Sequence, residues 1–302
     1  MAKDSDATKP GVSISFARPY DFLLSLSAVS SFQPGPYSQD KRLRLPVRID
    51  GSPVLIEVVP AGSETDELKA FSKPEGYNHQ IAKIVEWVIF ADLDLSPFYN
   101  LAARIAKLAG LISKLKGLKP MRPASLFEMA VIAITEQQIS LAAAYHIRNR
   151  LVQNFGEPVD GLWVFPEPSV LAGASMEELR LSGLSRQKAA YIQELARKVA
   201  EGRLALDDLR SMDDDAAREM ITGWRGFGLW SADYILVRGL ARPDCVPVAD
   251  IGIREVIGMY LGEGTRVTTE EATRKLEPFR PYRGLLAFYL LAHHRLKAAG
   301  SI

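Results

Sequence analysis

Thr222-Gly-Trp-Arg-Gly226-Phe-Gly228-Leu-Trp230-Ser231-Ala-Asp233 is a glycine-bearing turn between two stretches of helical periodicity. Asp213 to Ile221 precedes it, and a second helix, Trp230 to Leu240, begins directly after the glycines. Two glycines one residue apart allow a tight turn and let backbone N–H groups approach an anion closely. The following helix adds the positive end of its dipole. Such a loop can hold a nucleic-acid phosphate without reading a base. A plain helix–turn–helix corner using glycine for close packing stands beside that reading.

Twenty residues after Trp230 comes Asp250, in Val246-Pro-Val-Ala-Asp250-Ile-Gly-Ile-Arg254, an apolar run ending at one carboxylate where a helix begins. Asp250 reads as a helix N-cap or as the floor of a pocket. Trp230 and Tyr234 lie four apart on one helix and share a face, either as core aromatics or as a pocket wall.

Working outward, Val12–Phe16, Leu43–Leu45, Val47–Ile49 and Val54–Val59 alternate as strands do, with Asp50-Gly51-Ser52 as a hairpin turn. Asp21 to Ser27 reads as a short helix. From Ser96 onward apolar residues recur at helical spacing, in Phe98–Leu111, Leu126–Ile134, Ala142–Leu151, Lys188–Ala200, Trp230–Leu240, Ile253–Tyr260 and Leu285–Leu296. Pro97 suits a first helical turn. Ser175-Met-Glu-Glu178 and Thr268-Thr-Glu-Glu271 read as capping boxes, with Ser211-Met-Asp-Asp214 a weaker version. The expected fold is α+β. A disordered tail (1–10) precedes an N-terminal antiparallel sheet domain with helices (11–95), and an all-α region (96–302) follows. His293 and His294 are adjacent rather than at metal-ligand spacing and are expected at the surface.

Of 302 residues 47% are hydrophobic, enough for more than one core, and the net charge is only +1. That balance argues for no particular partner, yet residues 101–156 carry eight basic side chains against Glu128 and Glu136, a local +6. A nucleic-acid footprint and a pair of solvated helix faces both fit this. The single cysteine, Cys245, excludes an intramolecular disulfide, a Cys-built zinc site and a four-Cys iron–sulfur cluster. The first ten residues lack the apolar segment of a signal peptide, and no apolar run approaches a bilayer span. A soluble cytoplasmic, nucleoid-associated protein is expected.

The two motifs quoted first resemble the helix-hairpin-helix and catalytic Asp of the HhH-GPD DNA glycosylases, most closely 3-methyladenine glycosylase II. Leu126-Phe-Glu-Met-Ala…Glu136-Gln-Gln-Ile-Ser140 resembles the family's helix and DNA-inserting loop. Leu181-Ser-Gly-Leu-Ser185…Lys188-Ala-Ala-Tyr-Ile192 resembles the segment before the hairpin, and Phe279-Arg-Pro-Tyr-Arg283 the aromatic-Arg signature near the C-terminus. Phe90-Ala-Asp-Leu-Asp-Leu…Phe98-Tyr99 and the N-terminal sheet match that subgroup's extra domain.

The resemblance implies two helical subdomains, 126–243 and 96–125 plus 244–302. It implies a monomer that flips a damaged base out of double-stranded DNA and hydrolyses its N-glycosidic bond, with no cofactor required. Asp250 would stabilise the developing oxocarbenium charge. Trp230 and Tyr234 would line the base pocket and favour cationic alkylated purines. Gly226, Gly228 and Ser231 would hold phosphate, while the carbonyls of Thr222, Trp224 and Phe227 would bind sodium or potassium. Trp230 stands where bifunctional relatives carry a lysine nucleophile, which implies hydrolysis without strand cleavage. Two positions depart from the pattern, Leu291 in place of a pocket aromatic and Gln138 in place of an apolar wedge. A neutral lesion (hypoxanthine, uracil or an oxidised purine) on the same scaffold, and a non-catalytic damage-binding protein, remain the competing readings.

Overall fold

The computed structural model describes residues 11–32, 38–61 and 67–302; the tail expected at 1–10 lies outside them. The N-terminal part is a five-stranded antiparallel sheet of order β1-β5-β4-β3-β2. Its strands are β1 (Val12–Ile14), β2 (Ser38–Gln39), β3 (Arg42–Ile49), β4 (Ser52–Pro60) and β5 (Leu68–Lys73), with α1 (Phe22–Phe32) between β1 and β2. Leu43 faces Val58 and Val47 faces Val54 across the β3–β4 ladder. The side chains of these four residues join Ile81, Val85 and Val88 of α2 (Asn78–Val88) in one core. The two strand fragments expected at 43–45 and 47–49 are one strand running through Pro46. Among the described residues β2 pairs with Arg42 and Leu43, short of Pro46, which has no N–H to donate to a ladder.

The helix expected at 98–111 is two, α3 (Ser96–Ala102) and α4 (Ala106–Lys114). The break lets Phe98 and Ala102 of α3 and Leu108, Leu111 and Ile112 of α4 all reach one core. Then follow α5 (Leu126–Glu136), α6 (Leu141–Phe155), α7 (Pro168–Gly173), α8 (Met176–Leu181), α9 (Arg186–Ala200), α10 (Asp214–Thr222), α11 (Leu229–Gly239), α12 (Ile251–Leu261), α13 (Thr269–Leu276) and α14 (Arg283–Ala298). Both strong capping boxes form, at Ser175 and Thr268. Asp213 rather than Ser211 caps α10, because its carboxylate accepts from the N–H groups of Asp215 and Ala216.

The region after residue 96 is not wholly helical. β6 (Glu157–Val159) and β7 (Leu162–Val164) form a hairpin around Asp160-Gly161, both with positive φ (47° and 78°). Those dihedrals suit a turn whose twist matches antiparallel strands. The hairpin docks on the sheet through Arg48–Glu157, at 2.6 Å, and Lys73–Asp160, at 3.2 Å.

Among the described residues the buried apolar side chains fall into three clusters: the sheet with α2, the helices between 126 and 245, and residues 95–118 with 246–296. Lys119 stitches the first part to the rest. Its side chain is fully buried, and its ammonium donates to the carbonyls of Ala17, Phe90 and Ala91 at 2.9, 3.2 and 3.3 Å. Among the described residues no helix is long and apolar enough to cross a membrane.

Candidate active site

The hairpin forms because α10 and α11 are clamped on both sides of their turn. Arg218 of α10 donates to Asp233 of α11 at 2.9 Å, and Trp224 packs edge-on against Phe227 with centroids 5.3 Å apart. The two glycines differ. Gly226 has φ +91°, and a Cβ there would sit 2.3 Å from the Tyr191 ring. Gly228 has ordinary backbone and open space around it, and it starts α11 with no side-chain cap. The first N–H groups of α11, from Leu229 to Ser231, are therefore left for an anion. The Ser231 hydroxyl is not: it is buried and accepts the Gln137 amide proton at 3.0 Å.

Beside the hairpin lies a cleft of about 920 Å³. Its walls are the end of α5 with residues 137–141, one face of α11 from Trp230 to Arg238, residues 247–253 and, on α14, Leu291 and Arg295. The cleft brings together Trp230, Tyr234, Asp250 and Leu291 with Gln138, Gly226, Gly228 and Ser231. Thr222, Trp224 and Phe227 are not among its lining residues; the last two are buried in the helical core behind the hairpin.

Within the cleft Trp230 and Tyr234 stack on each other, centroids 4.9 Å apart and planes 13° from parallel. Trp230 Nε1 donates to Asp250 Oδ2 at 3.3 Å, while Asp250 Oδ1 accepts from the Ile253 N–H at 3.1 Å. Asp250 is thus both the N-cap of α12 and a carboxylate facing an open cleft; the two readings of this residue are one. Gln138 sits exposed at the tip of its loop with φ +56°.

Three groups in the cleft escaped the sequence reading. Glu136 accepts the Tyr234 hydroxyl proton at 2.7 Å. Arg238 and Arg295 also line the cleft. Burial depresses the Arg295 guanidinium most, Arg238 depresses it further, and Asp250 opposes both. An Arg four residues past Tyr234, and another four past Leu291, were a signal available in the sequence, since i,i+4 residues share a helix face.

Other expectations change here. Within the basic run at 101–156, Lys119, Arg122 and Arg148 are buried, while Arg104, Lys107, Lys114, Lys116 and Arg150 are exposed. His293 is also buried, with Nδ1 2.7 Å from the Tyr260 hydroxyl, while His294 is exposed. Neighbouring helix positions point about 100° apart, so one turns inward.

Residues 131–281 match the family described as HhH-GPD superfamily base excision DNA repair protein. This chain belongs to that superfamily. Similarity to curated proteins extends along most of it. YfjP of Bacillus subtilis (strain 168), provisionally named a DNA-3-methyladenine glycosylase, is 27% identical over 282 residues, 92% of this chain and 96% of its own. A second B. subtilis protein, named DNA-3-methyladenine glycosylase, is 29% identical over 215 residues, 70% of this chain and 71% of its own. Among solved structures, the 3-methyladenine DNA glycosylase from Archaeoglobus fulgidus superposes with a TM-score of 0.81. It covers 95% of this chain and 99% of its own at 23% identity, a likeness of fold.

Proposed function

We propose that this HhH-GPD chain is a monofunctional DNA glycosylase that hydrolyses the N-glycosidic bond of alkylated bases, of the 3-methyladenine and 7-methylguanine type. The observation that carries the reading is Asp250: a carboxylate anchored through one oxygen to a helix, its other oxygen beside an aromatic platform in an open cleft.

Phosphate seats on the N–H groups that open α11, which positions duplex DNA without reading sequence. The damaged nucleotide leaves the stack and enters the cleft, with Gln138 at the loop tip entering the duplex. The Tyr234-facing side of Trp230 is occupied, so the base stacks on the outer indole face, which attracts a cationic ring. Bond cleavage builds positive charge on the sugar beside Asp250, and water completes the hydrolysis. Trp230 offers no amine, and the Lys188 ammonium is bound to the carbonyls of Thr135 and Gln137, at 3.0 and 2.7 Å. Neither residue supplies a Schiff base. The carbonyls of Thr222, Trp224 and Phe227 are an all-oxygen donor set suited to sodium or potassium, and that of Trp224 also accepts the Phe227 N–H.

A second reading, a neutral lesion such as hypoxanthine, is favoured by Arg238 and Arg295, which bring positive charge into the same cleft. Release from duplexes carrying 7-methylguanine, 3-methyladenine, hypoxanthine, uracil or 8-oxoguanine separates the two, with each rate divided by spontaneous loss. Larger enhancement on the methylated purines supports the first reading, and on hypoxanthine the second. Strand breaks should appear only after alkali. A borohydride-trapped protein–DNA adduct, or no release from any lesion, would overturn the proposal.

A further inference from the structure

We infer that Glu136 is a positioning residue for base release: it fixes the Tyr234 ring, the ring supports the Trp230 indole, and the indole aims Asp250. The inference rests on Asp250 acting at the sugar.

Glu136 closes α5 with a side chain only 7% exposed. A carboxylate withdrawn from water is costly unless its oxygens are used, and here both are. Oε1 lies 3.4 Å from Nη1 of Arg148, whose side chain is 8% exposed. Oε2 takes the Tyr234 hydroxyl proton at 2.7 Å. Burial, and then the Glu136 charge, push the phenol well above its ordinary range, so it remains the donor throughout the working pH range. The far end of the Tyr234 ring is therefore tied down, and its face supports Trp230 at 4.9 Å. The supported indole places its N–H on Asp250 Oδ2, at 3.3 Å. With Oδ1 already committed to α12, both carboxylate oxygens are oriented before substrate arrives. Preorganised charge of this kind is what lowers a barrier, because nothing has to turn during the reaction.

The residues that follow give this restraint its reach. Gln137 donates to the Gly226 carbonyl at 2.9 Å and to Ser231 Oγ at 3.0 Å, while Gln138 stands exposed at the loop tip. Lys188 holds the backbone of this turn through Thr135 and Gln137. Three consecutive side chains thus face the aromatic platform, the hairpin and the solvent. Seating on phosphate, entry of the tip into the duplex and alignment of the platform are joined in one turn of backbone.

The competing role is structural: Glu136 as nothing more than the counter-ion of Arg148. A double-mutant cycle separates the two. Glu136→Gln, Tyr234→Phe and the double variant are compared for single-turnover base release and for binding to an abasic-site duplex. Tyr234→Phe keeps the ring and the stack and removes only the hydroxyl, so it reports even if Glu136→Gln folds poorly. If Glu136 acts through that hydroxyl, each single variant loses about tenfold in rate, as expected for a charge-assisted hydrogen bond, and the double variant loses no more. Affinity for the abasic duplex should stay within about threefold, because phosphate contacts are untouched. Wild-type rate in Tyr234→Phe, or multiplying losses in the double variant, would overturn the inference while leaving the glycosylase reading intact. No release by the wild-type protein would overturn both.

Discussion

Arg283 grips Asp244 through two parallel hydrogen bonds, Nε to Oδ1 at 2.9 Å and Nη2 to Oδ2 at 2.8 Å. Arg280 adds a third contact, to Oδ2 at 2.9 Å. Both arginines belong to the Phe279–Arg283 signature, and Asp244 begins the loop that ends at Asp250. Immediately after them, Gly284 is packed so closely that a Cβ would lie 2.1 Å from the Cys245 carbonyl oxygen. The signature therefore anchors the loop that carries Asp250 to the start of α14. Arg283→Lys, which has charge without the planar fork, should destabilise the fold by about 1–3 kcal/mol. It should also slow base release at temperatures where the protein is fully folded. An unchanged thermal midpoint would refute the anchoring role.

Asp250 caps α12 with one oxygen and turns the other to the cleft, so if it acts in the chemistry two substitutions should part. Asp250→Asn keeps an acceptor for the Ile253 N–H. It should abolish base release while leaving thermal stability and abasic-site binding near wild type. Asp250→Ala should be equally inactive and less stable by about 1 kcal/mol, the usual value of an N-cap. More than a tenth of wild-type single-turnover rate in either variant would remove Asp250 from the chemistry.

The two hairpin glycines should answer differently to alanine. Gly228→Ala meets open space and should fold normally, whereas Gly226→Ala collides with Tyr191 at a φ that disfavours side chains. The second should cost about 1–2 kcal/mol from backbone strain alone. Gly228→Asp adds a charge where phosphate is expected and should weaken binding to damaged and undamaged duplexes alike, with a shallower salt dependence. Circular dichroism melts and salt titrations of binding check all three.

Glu128 gives the fold a pH dependence. Burial raises its carboxyl from an ordinary 4.5 to about 7, with Arg148 pulling the other way. The folded protein holds this proton where the unfolded chain releases it. The contribution to stability is therefore complete below pH 4.5 and is lost as pH rises through 7. Glu128→Gln should raise the melting temperature at pH 8 relative to wild type and change it little at pH 5. An equal shift at both values would mean the carboxyl ionises freely.

The platform, the hairpin and Asp250 were legible because each is written locally: aromatics four apart, glycines before a helix, a carboxylate where a helix begins. What was not legible depends on distance along the chain. Gly226 and Gly228 look alike until Tyr191, thirty-five residues earlier, closes on one of them. Glu136 entered a charge count as one acid among basic residues, because its partner is 98 positions away. Lys119 and Arg122 are interior for the same reason, held by carbonyls at positions 17, 90 and 91 and at 87 and 239. The β6–β7 hairpin is a different case. Val159-Asp-Gly-Leu162 is a strong short-range turn signal that helical texture on either side obscured.

The Lys119 cage bears on how this chain can be divided. The ammonium belongs to the helical part, but the three carbonyls around it come from residues 17, 90 and 91. The β6–β7 hairpin likewise lies in the helical part, while its cationic partners Arg48 and Lys73 sit on the sheet. Cutting at residue 95 would leave a buried cation facing water through a hole and a hairpin without its counter-ions. The N-terminal sheet is thus not a module that can be detached or exchanged; the cleft is held by a shell whose two parts have to be inherited together.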